Sequence, residues 1–125
     1  MKFIHSVAAA ILSFGVVTLS YADPVEHFQG KPAENLAEAV NNFNAGNQRL
    51  AKLMDKESLT AADVAAIHKL TYTLENALAK INADLDQLAV TLEAIHLGSE
   101  EGDVEKVSVE TTKYLAVTND LSGLK

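Results

Sequence analysis

The chain contains no cysteine, no tryptophan, only two prolines and a single arginine, Arg49. Without cysteine, disulfides and thiolate metal sites are excluded. Also missing are a G-x-S-x-G elbow, a glycine-rich phosphate loop, an H-E-x-x-H pair and any cluster of basic residues. Each would have marked a recognisable chemistry. No catalytic residue is assigned on this basis, and a non-enzymatic protein is expected. Calcium is a poor fit for the acidic turn GSEEGD (residues 98–103), because it lacks the alternating oxygen ligands of an EF-hand loop.

What is present begins with an apparent targeting segment. Residues 1–22 read as a secretory signal peptide: Lys2, then the apolar run VAAAILSFGVVTL, then Ser20, Tyr21 and Ala22 before a cleavage point. A membrane anchor is the competing reading, but that run is short of the roughly 20 residues that span a bilayer. The expected location is therefore the periplasm, with Asp23 as the first mature residue and no membrane association after cleavage. Removing Lys2 leaves seventeen acidic residues against nine basic ones. A surface of that sign repels nucleic acid and anionic membranes.

Residues 23–31 predict an extended N-terminal arm, followed by one helical domain over 32–125. The first helix is expected over about 32–54, opening at Pro32 with Leu36, Val40, Phe43, Leu50 and Met54 on its apolar face. Gly46 weakens that helix locally. Thr60 and Asp63 form a capping-box signature for a second helix over about 60–97, with Gly98 as its stop. Its apolar residues Val64, Ile67, Thr71, Leu74, Leu78, Ile81, Leu85, Leu88, Leu92 and Ile95 alternate three and four apart. That is a coiled-coil-like seam, which Leu70, Ala77 and Ala89 widen. Asp103 caps a third helix over about 103–121, with a stripe of Val104, Val107, Thr111, Tyr114, Thr118 and Leu121. The stretch VSVET also alternates as a strand does, but a lone strand would have no partner.

Helix lengths then set the architecture. At the standard rise the three helices would be about 33, 55 and 28 Å long. Short connections make both outer helices antiparallel to the central one, giving an all-α fold in which two short helices lie end to end along a long spine. A spine with one neighbour at each level keeps part of its apolar surface, so a homodimer or another helical protein is expected as partner.

The segments HFQGKPAENLAEA, IHKLTYTLENAL and LEAIHLGSE resemble a family of small secreted proteins of Gram-negative bacteria known only as a domain of unknown function. The resemblance implies a signal-bearing, all-helical protein with no assigned activity and carries over no functional residue. Small four-helix periplasmic cytochromes are similar in size, but Met54 lies at the end of the first helix, the third helix has no histidine, and no C-x-x-C-H occurs.

Histidine remains the main candidate for chemistry, and the alternative function is a small metal or haem carrier or sensor using His27, His68 and His96. His68 and His96 are four heptads apart on one helix edge, hence about 42 Å apart along the axis. Two arrangements could pair histidines. An antiparallel dimer centred on Asn82 would set His68 against His96 of a second copy, at the cost of bringing Asp84 near its own copy. Otherwise the arm could carry His27 up to His96. Each gives two imidazoles, fewer than a closed zinc site needs, so no cofactor or metal is assigned and the rings are read as half-buried edge residues. Tyr72 stands between His68 and Glu75 at helical spacing and could form a polar cluster with them.

Overall fold

The structure, a computed structural model, describes residues 27–124. The expected signal peptide and the start of the arm lie outside those residues. Three helices follow the arm: α1 (Leu36–Met54), α2 (Ala61–Glu101) and α3 (Val104–Leu121). No strand occurs among the described residues, and VSVET is helical.

The helix starts follow side-chain capping. α1 begins at Leu36 rather than at Pro32, with Asn35 as its cap, the side chain accepting from the Glu38 N–H at 2.9 Å. An asparagine that takes one of the free N–H groups of the first turn outcompetes a proline that supplies no acceptor. At α2 the capping box forms as expected: Thr60 Oγ1 accepts from the Asp63 N–H, while Asp63 accepts from the Thr60 N–H. Lys56 binds the other carboxylate oxygen. The Lys56 ammonium, followed by the two Thr60 donors, holds the Asp63 carboxyl well below the usual carboxylate range. At α3, Asp103 accepts from the Lys106 N–H at 2.9 Å.

The stop of α2 is Gly102, not Gly98. Gly102 takes the left-handed conformation at φ 70°, and its N–H reaches back to Gly98 and Ser99 carbonyls. Gly98 lies inside the helix and is buried, where a Cβ would come within 3.2 Å of Lys106 and Val107 side chains on α3. Gly46 has the same role on α1: an added Cβ would come within 2.6 Å of Leu74 Cδ2. Both glycines mark close approach of neighbouring helices to α2. α2 runs unbroken through 82–86 and is about 61 Å long.

The expected arrangement of two short helices along a spine is observed. Gly46 of α1 lies against Leu70 and Leu74, and Gly98 of α2 lies against the start of α3. The two outer helices meet end to end at mid-spine, where Leu36, Ala39, Val40 and Ile81 form the core, with Phe43, Val117 and Leu121 packed against them. There Asn44 Nδ2 donates to the Gly123 carbonyl at 2.6 Å.

The seam is rotated from the one expected. Ile67, Leu74, Ile81, Leu88 and Ile95 do face inward, but their partner row is Asp63, Leu70, Ala77, Asp84, Thr91 and Gly98, all buried or half-buried. The other expected row is mostly left outside: Val64, Leu78, Leu85 and Leu92 are 41–56% exposed, Thr71 between them is half-buried, and Ala89 is exposed too. Helix backbones approach most closely where side chains are small, so Ala77 and Gly98 draw the outer helices to their side of the stripe. Met54 and Val104, expected on apolar faces, are also exposed.

Candidate functional site

The arm determines which side chains meet. Gly30 sits on the α2 backbone with φ 66°; a Cβ there would lie 2.6 Å from the Tyr72 carbonyl carbon and 2.7 Å from the Thr73 nitrogen. Only glycine satisfies both the left-handed backbone and that proximity. Asn76 Nδ2 donates to the Gln29 and Lys31 carbonyls at 3.1 and 3.2 Å, and the Lys31 N–H donates to Thr73 Oγ1 at 2.9 Å. Lys31 Nζ donates to Asn42 Oδ1 at 2.7 Å, and the buried Asn42 donates in turn to the Pro32 carbonyl.

These bonds run the arm toward the N-terminal end of α2, away from His96. His27 therefore arrives beside Tyr72, with its Nδ1 3.3 Å from the phenol oxygen. His68, one turn before Tyr72, places Nε2 3.4 Å from the same oxygen. A phenol has one O–H, so with both rings neutral it donates to one imidazole and accepts an N–H from the other. The His68 ring meets Tyr72 edge-on, with centroids 5.2 Å apart, and Phe28 does the same at 6.1 Å. Lys69 Nζ lies over the Phe28 ring, 5.8 Å from its centroid. The cluster expected around His68 and Tyr72 thus exists, with His27 in the place anticipated for Glu75.

His96 takes no part. Its Nε2 lies 3.4 Å from Glu100 Oε1 on an exposed turn near the far end of α2. Within one chain the three candidate histidines resolve into a pair and an outlier, and among the described residues no three His, Asp or Glu side chains converge as a metal site. In the turn after α2, Asp103 is engaged as a cap and Glu101 pairs with Lys106.

Two further surfaces adjoin the cluster. A hollow of about 420 Å³ between the arm, α1 and α2 is lined by Phe28, Arg49, Ala62, Ala66, Lys69 and Leu70. The outward row Val64, Leu78, Leu85 and Leu92 runs along α2, flanked by the exposed His68, Glu75, Asn82, Ala89 and His96. Heptad spacing revealed that row as apolar; only the placement of the outer helices left it uncovered. No described helix is long and apolar enough to cross a membrane.

Residues 1–123 match the family of unknown function DUF6746, and the chain belongs to that family. No curated protein and no solved structure matches the chain.

Proposed function

We propose that this is a non-enzymatic periplasmic protein that works by pairing the outward row of its long helix with a second helix, in the first instance with a second copy of itself. The observation that carries the reading is the exposure of Leu78, Leu85 and Leu92 at seven-residue spacing on an unbroken helix. Such a row, with Asn82 and Ala89 beside it, is half of an antiparallel coiled-coil seam.

An antiparallel pair centred on Asn82 sets each residue i opposite residue 164−i of the second copy. Asn82 then meets its own copy, with leucines on either side. The like-charge clash that such a pair would impose through Asp84 does not arise, because Asp84 belongs to the inward row and binds Lys80 at 3.0 Å. Sedimentation of the purified protein tests the reading. A concentration-dependent dimer that Leu85→Glu dissociates without loss of helicity is expected; a fully helical monomer at high concentration overturns it.

A second reading, a small metal carrier, is favoured by the convergence of His27 and His68 on Tyr72. Stoichiometric metal in the protein as purified would support the carrier, and copurifying polypeptide the interaction module.

A further inference from the structure

We propose that His27, Tyr72 and His68 form a binding site for divalent copper. The site lies within one chain and deepens the carrier reading without requiring self-association.

The donors come from two segments that other contacts already hold together. His68 and Tyr72 are one turn apart on α2, and His27 is delivered by an arm clamped through Gly30, Thr73 and Asn76. Nδ1 of His27 and Nε2 of His68 both point at the Tyr72 oxygen, at 3.3 and 3.4 Å. Metal–nitrogen bonds are about 2.0–2.1 Å, so an ion placed among the three atoms draws them together by small side-chain rotations. Both imidazoles are exposed, which leaves an entry path and room for water to complete the coordination.

The donor set selects the metal. Two imidazoles and one phenol oxygen, with positions left for water, match the tetragonal N,O geometry of divalent copper, which also heads the affinity order of first-row divalent ions. Zinc takes four protein ligands in a closed site and three in an open one, drawn from Cys, His, Asp and Glu, and among the described residues no three such side chains converge. On binding, the Tyr72 O–H bond breaks and an oxygen–copper bond forms. The proton passes to water and copper remains divalent, so no oxidant or reductant is needed.

Titration of the purified protein with a copper(II) salt against a competing chelator tests the assignment, with visible absorption and electron paramagnetic resonance as readouts. One copper per chain is expected, with a phenolate-to-copper charge-transfer band, nitrogen couplings and release of a proton. Tyr72→Phe abolishes the band while the imidazoles still bind. His27→Gln or His68→Gln weakens binding by at least about ten-fold, and His96→Gln changes neither affinity nor band. The band persists in Leu85→Glu, which separates this site from dimer formation. A wild-type protein without the band, a band that survives Tyr72→Phe, or a His96→Gln effect as large as that of His68→Gln overturns the proposal; circular dichroism confirms that each variant is folded.

Discussion

The two halves of α2 carry the same heptad pattern and are covered very differently. The N-terminal half lies under α1 and the arm together, with Asn42 buried and hydrogen-bonded and Ala77 fully enclosed. The C-terminal half lies under α3 alone. No residue of α3 is buried, and Val90, Leu92, Leu97, Val109 and Leu115 on this half are all exposed. A repeat that would support two equal halves therefore yields one half whose covering helix has buried residues and one whose covering helix has none, while the outward row stays exposed on both. Hydrogen exchange should show the difference directly, since few buried contacts mean low local opening energy: amides of α3 are expected to exchange before those of α1.

The largest expected effect comes at the junction of the halves. Ile81 is 5% exposed where all three helices meet, and Ile81→Ala should cost about 2–5 kcal/mol by denaturant unfolding. Because that core belongs to both halves, protection should fall on both sides. Gly30→Ala should act on the N-terminal half alone. It places a methyl against the α2 backbone at a positive φ, a strain of order 1–3 kcal/mol, and should release the arm. Faster exchange of the Lys31 amide, with α3 unaffected, would establish that.

Gly46→Val and Gly98→Val insert bulk into the two helix contacts, and overpacking of this kind costs typically about 1–3 kcal/mol. The Gly46 substitution should cost more, since its Cβ would lie 2.6 Å from Leu74, against 3.2 Å for the nearest atoms at Gly98. Equal unfolding midpoints for the two variants would contradict the claim that the N-terminal half is the tighter. A smaller effect depends on pH. The Asp63 carboxyl is depressed in the folded chain, so its contribution is fully present above the unfolded value of about 3.9 and is lost as the pH falls from there toward the lower folded value. Asp63→Asn should remove that component of acid sensitivity from a pH series of unfolding midpoints. The smallest effect is expected on the outward row, where Leu92→Ser should change monomer stability by no more than about 0.5 kcal/mol. A larger loss would mean that the row is covered.

Much of the local structure was legible in the sequence. Thr60 with Asp63, and Asp103, announced their caps because capping depends on a few adjacent side chains. Locally, Gly46 has the mark of a weak point and Gly98 that of a stop; in both the close partner lies on another helix, and no local pattern records it. His27 beside Tyr72 was likewise hidden: the arm's length permits travel in either direction, and Gly30 together with Asn76 selects the one that leads away from His96.

Taken alone, the sequence determined three helices, the central one much longer than the other two, their antiparallel order along a spine and an apolar stripe on that spine. All of these follow from periodicity, capping and short connections. Only the tertiary structure decided which edge of the stripe is covered, and hence that Leu78, Leu85 and Leu92 remain outside and that His68 is joined by His27. The physical reason is that hydrophobic burial favours covering the stripe from either side almost equally. The close approach permitted by Gly46, Ala77 and Gly98, together with an arm that fits only over Gly30, breaks that tie.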